Sequence, residues 1–357
     1  MKVGITHGDF NGANYEILLK VFDDPHITEL FTPVIYGSPR VAAWYRKTLG
    51  LPEFHFNIID DASKAKDNAV NIVNIMGADE PDITPGKSTP VAGEASRKAL
   101  EAATADLKEG KIDVLVTAPV NKENIQGDGF NFPGHTEYLE AVLGEGSQSK
   151  ALMVMSSENL KVALVTTHKP LRDVADAITQ EIILAKLRLF NETLEIDFTR
   201  PHPRIAVLSL NPHAGDSGVL GHEEVDVIAP AIEKAKEEGI MAFGPFGADG
   251  FFGSGNYRHF DGVLAMYHDQ GLIPFKLMAM ETGVNYTAGL PFVRTSPDHG
   301  TAYDIAGKGV ADPAPLRQAI YAAMDIKRNR ERNSVLKQNP LKKLYNTSGR
   351  SENNNIG

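Results

Sequence analysis

The 357-residue chain contains no cysteine. Disulfide bonds, CxxC redox chemistry, cysteine-ligated zinc and a thiol nucleophile are therefore excluded, and any metal ion must be bound by His, Asp or Glu. Basic residues are also scarce: 36 Lys and Arg stand against 46 Asp and Glu, a formal net charge of −10. Because nucleic-acid phosphates are bound through a basic face, this balance disfavours a nucleic-acid-binding function.

Long apolar runs and several enzyme motifs are missing as well. No stretch approaches the roughly 18 continuous apolar residues of a membrane span, and the first residues, MKVGITHGDFNG, lack the apolar core of a secretory signal. We therefore expect a cytoplasmic protein. No GxGxxG follows a predicted strand, and neither HExxH nor GxSxG occurs, which argues against a Rossmann fingerprint, a zincin and an α/β-hydrolase.

What the chain does contain is an alternation of short apolar runs and amphipathic helical patterns, which is typical of an α/β fold with a largely parallel sheet. Helices are predicted over 95–109, 181–194, 224–238 and 315–330. Buried strands are predicted over 114–120 (VLVTAPV), 151–155 (ALMVM), 162–166 (VALVT), 205–210 (IAVLSL) and 263–267 (VLAMY). The second and third are too close for a crossover helix, so they are predicted to form an antiparallel hairpin in a mixed sheet.

Three of these strands run directly into a histidine, namely His168, His213 and His268. Ligands of open α/β sheets bind outside the carboxyl ends of strands, and three imidazoles are a common divalent-metal set. A single histidine there is more often an ordinary loop residue, but the repetition favours one shared metal or substrate site. Asp216 and Asp269 are either partners of these imidazoles or solvated loop residues.

A fourth histidine, His135 in PGHTE, precedes an amphipathic stretch. This context predicts a helix N-terminus, where free N–H groups favour an anion such as phosphate. Simple capping by Thr136 is the alternative. Lys122, Lys276 and Arg294 are isolated cations in apolar contexts near the presumed site, and a surface ion pair is the alternative for each.

Taken together, these motifs resemble the PdxA family, the 4-hydroxythreonine-4-phosphate dehydrogenases of vitamin B6 biosynthesis. Eight blocks carry the resemblance in order, namely GIT (4–6), APVNK (118–122), GHTE (134–137), TTH (166–168), LNPHAG (210–215), YHDQG (267–271), GLPFVRTS (289–296) and DHGTA (298–302). One segment departs from the family. Where members have a GDPAGIGPE-like loop, residues 8–16 read GDFNGANYE, which puts the shape of this loop and the substrate or cofactor detail it controls in question.

The resemblance implies a two-domain α/β fold like that of the isocitrate and isopropylmalate dehydrogenases, with mixed, mostly parallel sheets and an interdomain cleft. Such enzymes bind NAD without the Rossmann fingerprint. We predict that residues 1–130 and 300–345 form one domain, that 131–299 form the second, and that 346–357 are a disordered tail. A homodimer with its active site at the cleft and the subunit interface is also implied.

Carried over by motif, the resemblance implies one divalent ion (Zn, Mg, Co or Mn) with a ligand from the partner subunit. The three predicted metal ligands are His168, His213 and His268. The predicted substrate-binding residues are His135, Thr136, Lys276, Asn285 and Arg294, and the predicted catalytic residues are Lys276 and Asp249. The expected reaction is NAD-dependent oxidation of 4-phosphohydroxy-L-threonine to 2-amino-3-oxo-4-phosphooxybutanoate, which decarboxylates to 3-amino-1-hydroxyacetone 1-phosphate. No cofactor-binding residue is assigned.

Three alternatives stay open. The first is a paralogous dehydrogenase for a phosphorylated sugar acid, such as 4-phosphoerythronate or 4-phosphothreonate. It would keep the residues that bind the metal and the phosphate and change those that recognise the substrate amine. A phosphate acyltransferase of related architecture would need neither the metal ligands nor NAD. A non-catalytic binding protein would bind ligand without turnover.

Overall fold

The computed structural model describes residues 1–51, 55–77, 81–127, 130, 132, 134–144 and 151–338. The predicted tail at 346–357 lies outside this range. The strands are β1 (Lys2–Thr6), β2 (Thr32–Gly37), β3 (Asn57–Ile59), β4 (Asn71–Asn74), β5 (Val114–Thr117), β6 (Leu152–Ser156), β7 (Lys161–Leu164), β8 (Ile205–Leu208), β9 (Ala242–Phe246), β10 (Gly262–Ala265), β11 (Val284–Ala288) and β12 (Arg294–Pro297). The α-helices are α1 (Asn14–Val21), α2 (Ile27–Leu30), α3 (Pro39–Thr48), α4 (Pro90–Lys108), α5 (His135–Leu143), α6 (Val174–Ala177), α7 (Gln180–Ile196), α8 (Ala229–Glu237), α9 (Ala248–Gly253), α10 (His268–Ala279) and α11 (Ala314–Gln338).

All twelve of these strands join one continuous sheet in the order β3-β4-β2-β1-β5-β12-β11-β6-β7-β10-β8-β9. Neighbouring strands are parallel except where β11 meets β12 and β6, and where β6 meets β7. The parallel group from β3 to β12 therefore runs opposite to the group from β7 to β9. The predicted α/β class, mixed sheet and antiparallel hairpin are confirmed, and the division into two domains stays a prediction.

The predicted strands are all present, but four of them end two or three residues earlier than the apolar runs indicate, at Thr117, Leu164, Leu208 and Ala265. Helix α4 begins at Pro90, five residues before the predicted start, because the Thr89 hydroxyl caps its first turn. The predicted helix over 224–238 opens with a π-helical turn at Glu224–Ile228 before α8 begins.

The sheet is buried on both faces, as parallel sheets are. One hydrophobic cluster extends across both strand groups, from Val3 and Val116 to Val154 and Val207. This continuity makes the sheet a rigid frame for the loops at its edges. In the part of the chain that the structure describes, no helix combines the length and the apolar character needed to cross a membrane.

The loop at 8–16, whose sequence departs from the family, is part of the interior. Asp9 is fully buried, and its carboxylate accepts hydrogen bonds from Asn124 Nδ2 at 2.7 Å and from the Tyr303 hydroxyl at 2.8 Å. The side-chain amide of Asn14 donates to the carbonyls of Asp9 and Pro119 at 2.9 and 2.8 Å. The substituted loop is therefore held by buried polar contacts to distant segments.

Candidate active site

The site lies at one edge of the sheet. Because β7, β10 and β8 are adjacent and parallel, their carboxyl ends meet at this edge, and the segments that follow them carry His168, His268 and His213. Strand β12 runs in the opposite direction, so its first residue, Arg294, stands at the same edge. Residues far apart in sequence thus meet here, as ligand sites of open α/β sheets require.

His168 and His268 form a pair whose ring centroids are 6.1 Å apart. His268 Nδ1 lies 2.7 Å from Asp269 Oδ1, and His168 Nδ1 lies 3.6 Å from Glu137 Oε1. A carboxylate at Nδ1 fixes the orientation of an imidazole and leaves Nε2 for a ligand. The hydrogen bond with His168 also lowers the pKa of the Glu137 carboxyl, which keeps that group ionised.

Arg294 is a buried cation with hydroxyl partners. Its side chain donates to the Thr117 hydroxyl from Nε at 3.0 Å and Nη2 at 2.6 Å, and to the Thr287 hydroxyl from Nη1 at 3.0 Å. Within the described ranges it forms no ion pair with a carboxylate. Burial lowers its pKa to about 10, so the guanidinium stays charged at neutral pH. An uncompensated buried charge is costly, and a bound anion would compensate it.

His135 opens helix α5 beside Arg294, with 3.4 Å between its Nδ1 and Arg294 Nη2. Burial, reinforced by the charges of Arg294 and Lys122, lowers its pKa to about 3, so the ring is neutral. With Nδ1 as acceptor, Nε2 carries the proton, and this buried atom has no hydrogen-bond partner among the described residues. Gly134 is the N-cap, so the predicted alternative of capping by Thr136 is wrong.

Lys276 lies two turns beyond His268 on α10, and its Nζ is 3.2 Å from Asp298 Oδ1. Asp298 is nearly buried, and its Oδ2 has no hydrogen-bond partner in the described part of the chain. Burial raises the pKa of the Asp298 carboxyl, while the Lys276 ammonium group opposes this rise. The predicted catalytic lysine is thus paired with an acid from another element.

His213 stands in an unusual turn. Residues 213–217 all have positive φ, a left-handed conformation that costs roughly 1–2 kcal/mol for each residue other than glycine. Asp216 lies in this turn with an exposed side chain, whereas Asp269 does contact its histidine. A Cβ atom built on Gly247 would lie 3.5 Å from Asp249 Oδ1 and 3.8 Å from His213 Cα. Asp249 and His213 therefore both lie close to Gly247.

One chain does not gather all three predicted metal ligands. Among the described residues, no three His, Asp or Glu side chains come together as a metal-binding group. The structure pairs His168 with His268 and leaves His213 on its own loop. The remaining predicted substrate residues are half-buried: Thr136 lies in the first turn of α5, and Asn285 on β11 has a buried Oδ1 that lacks a hydrogen-bond partner within the described ranges.

The sequence did not identify four residues as partners of site side chains, namely Thr117, Glu137, Thr287 and Asp298. The two hydrogen bonds from Arg294 to Thr117 illustrate the reason, since Thr117 is 177 positions away in sequence. Glu137 and Asp298 do lie inside motifs that carry the resemblance, which was the one available signal.

A family model described as "Pyridoxal phosphate biosynthetic protein PdxA" matches residues 29–323. This range contains every predicted metal, substrate and catalytic residue. The chain belongs to the PdxA family. The resemblance that the sequence blocks predicted is thereby confirmed.

Relatives of this PdxA chain carry the names of dehydrogenases. A 4-hydroxythreonine-4-phosphate dehydrogenase of Bacteroides thetaiotaomicron is 56% identical over 97% of this chain and 94% of its own length. A Cutibacterium acnes protein, provisionally named D-threonate 4-phosphate dehydrogenase, is 37% identical over 91% of this chain and 94% of its own. A crystal structure of 4-hydroxythreonine-4-phosphate dehydrogenase from Klebsiella pneumoniae, 35% identical, covers 91% of this chain and 98% of that one with a TM-score of 0.78.

Proposed function

We propose that this PdxA chain oxidises the secondary hydroxyl of 4-phosphohydroxy-L-threonine, with NAD as hydride acceptor and a divalent metal ion at the site. The observation that carries the proposal is the buried Arg294 guanidinium, which has hydroxyl partners and no carboxylate among the described residues. Such a group favours a dianionic phosphate or a carboxylate. The names of the relatives supply the substrate class.

The anion-binding part of the site combines three kinds of donor. Arg294 supplies charge, the neutral His135 supplies an Nε2–H, and the first turn of α5 supplies free backbone N–H groups with the positive end of the helix dipole. Lys122 adds a second positive charge close enough to affect His135. These groups bind and orient the phosphorylated end of the substrate.

The imidazole groups of the described residues are suitable ligands for a divalent metal ion. The rings of His168 and His268 are close, and the carboxylates at their Nδ1 atoms leave each Nε2 for coordination. When bound, the ion would polarise the substrate hydroxyl as a Lewis acid, and the nicotinamide would accept the hydride. The expected ions are Zn, Mg, Co and Mn; of these, imidazole ligands suit Zn, whereas Mg and Mn favour oxygen ligands.

The Lys276 ammonium group, held by Asp298, acts on the substrate oxygen. When the hydroxyl gives its proton to solvent, the ammonium group stabilises the alkoxide that forms, and an electron pair of this oxygen closes the ketone as the carbon loses hydride. The 3-oxo acid then releases CO₂, and the electron pair of the broken C–C bond passes to the ketone as an enolate. The same ammonium group stabilises this enolate until a proton is added at carbon.

We assign the third ligand, His213, to a second copy of the chain, in keeping with the expected homodimer. The assignment is supported by the separation of His213 from the His168–His268 pair within one chain. Asp249, which lies beside His213, would reach the same site from that copy. The active site would then be shared between two subunits.

The test measures NADH formation by the full-length protein with 4-phosphohydroxy-L-threonine and NAD, before and after chelation and metal add-back. We expect turnover that chelation abolishes and metal restores. D-threonate 4-phosphate and 4-phosphoerythronate are run in parallel. Faster turnover with either would assign the chain to the paralogous reaction, and no turnover by a folded, metal-loaded protein with any substrate would contradict a dehydrogenase.

A further inference from the structure

The loop that carries His213 adopts a conformation that its own sequence does not favour. Five consecutive residues, 213–217, have φ between 42° and 76°, and only one of them is glycine. Gly218 continues the run at φ 97°. Residues with a Cβ atom rarely adopt this region, and a run persists only where the surrounding structure imposes it. Something outside the turn must therefore fix it.

The fixing group is the carboxylate of Glu224, which is 2% exposed. Its Oε1 accepts hydrogen bonds from the backbone N–H groups of Leu210 and Asn211, both at 2.8 Å, and its Oε2 accepts from Asn211 Nδ2 at 3.0 Å. Hydrogen bonds to an ionised acceptor are roughly twice as strong as neutral ones. Two residues before His213, the chain is thus tied to one buried anion.

The same carboxylate also contacts the turn itself. A Cβ atom on Gly215 would lie only 2.5 Å from Glu224 Oε2, so the turn packs directly against the carboxylate. Glu224 begins the π-helical turn at Glu224–Ile228, and such turns are frequent at functional sites. The anchor and the loop therefore belong to different elements that meet around one side chain.

We propose that Glu224 is the positioning residue of His213, and that it holds the left-handed turn so that the imidazole is presented to the metal ion. This inference rests on the proposed function, which makes His213 a metal ligand. Glu224 itself does not reach the reacting atoms. Its effect should therefore appear in metal affinity and in the geometry of the metal centre.

The experiment titrates the full-length protein with Co²⁺ and follows the dissociation constant and the visible absorption spectrum of the bound ion. Glu224→Gln replaces one acceptor oxygen with a donor that faces other donors. We expect about 10- to 100-fold weaker Co²⁺ binding and an altered spectrum, as is typical when a residue that supports a metal ligand is lost. Circular dichroism checks that the variant is folded.

Glu223→Gln is the matched control, because Glu223 accepts from the side-chain amide of Asn211 at 2.7 Å, whereas the backbone N–H groups of Leu210 and Asn211 donate to Glu224. Its Co²⁺ affinity should stay within about threefold of the wild type, well short of the loss that a missing support causes. If Glu224→Gln fails to fold, Glu224→Asp retains the charge but shortens the side chain by one methylene, and it should show the same altered spectrum.

The His213→Ala variant distinguishes failure of the proposed metal site from failure of the positioning role of Glu224. If His213→Ala leaves Co²⁺ affinity unchanged, the proposed metal site fails. If His213→Ala weakens binding while folded Glu224→Gln and Glu224→Asp both keep the wild-type affinity and spectrum, the positioning role of Glu224 is wrong and the metal site stands.

Discussion

The ammonium group of Lys276 lies 3.2 Å from one carboxylate oxygen of Asp298, while the other oxygen, Oδ2, is buried without a hydrogen-bond partner among the described residues. An acid in this position orients the lysine and keeps one acceptor atom unpaired among the described residues. The pair comes from the third turn of α10 and from the loop after β12, so it exists only in the folded chain.

Asp298→Asn should lower kcat by about 10-fold or more, because the amide holds the ammonium group less firmly and removes its counter-charge. KM for the phosphorylated substrate should change little, since Arg294 and His135 are the groups proposed to bind the anion. Steady-state NADH formation over a range of substrate concentrations measures both constants. Asp304→Asn, at an exposed acid in the following loop, is the control, and an equal effect of the two variants would contradict the pairing.

Thr117 and Thr287 should act on substrate binding through Arg294. Thr117→Val removes the hydroxyl that accepts from Nε and Nη2 but keeps the side-chain shape, so a buried cation loses two hydrogen bonds. We expect KM to rise about 10-fold with a smaller change in kcat. Thr117→Ser keeps the hydroxyl and should restore most of the wild-type KM. If both variants behave alike, the hydroxyl is not the cause.

Features that depend on residues close together in the sequence could be predicted, and features that depend on residues far apart in the sequence could not. The strands before His168, His213 and His268 were predicted because a strand that is buried on both faces consists of consecutive apolar residues, which the sequence shows directly. The ends of α4 and α8 were predicted to within one residue from another local signal, because Gly110 and Gly239 adopt left-handed φ just after the C-caps Glu109 and Glu238.

Features decided by distant residues were not predicted. The left-handed turn at 213–217 contains Ala214 and Ser217, which have no preference for that conformation. Its cause is Glu224, on another element. The hydroxyl partners of Arg294 are equally invisible, because a threonine at the end of a strand looks the same in sequence whether or not it meets an arginine.

The pairing of histidines predicts a particular pattern of complementation between inactive variants. If His168 and His268 of one chain meet His213 of the other, mixing His168→Ala with His213→Ala protein should restore part of the activity, because one site in each heterodimer keeps all three ligands. Mixing His168→Ala with His268→Ala should restore none, because each site lacks a ligand. The measurement is NADH formation after the subunits are exchanged and heterodimers are verified. Recovery in both mixtures would show that the ligands are distributed differently.

His7 makes folding stability sensitive to acid. It is fully buried, its ring donates from Nε2 to the Ala95 carbonyl at 3.3 Å, and burial lowers its pKa from 6.5 to about 4. The unfolded chain therefore binds a proton at higher pH than the folded chain does. Stability from this group is complete above pH 6.5 and is lost as pH falls toward 4, by roughly 3 kcal/mol.

His7→Phe should flatten the fall in the free energy of unfolding between pH 6.5 and 4, because the variant has no ring to protonate there. Urea unfolding followed by circular dichroism at several pH values measures this slope, whatever the absolute stability of the variant. His26→Phe is the control: His26 is exposed, and its hydrogen bond with Glu29 raises its pKa, so its removal should not flatten the slope. Equal slopes in the wild type and His7→Phe would mean that the buried ring does not titrate on unfolding.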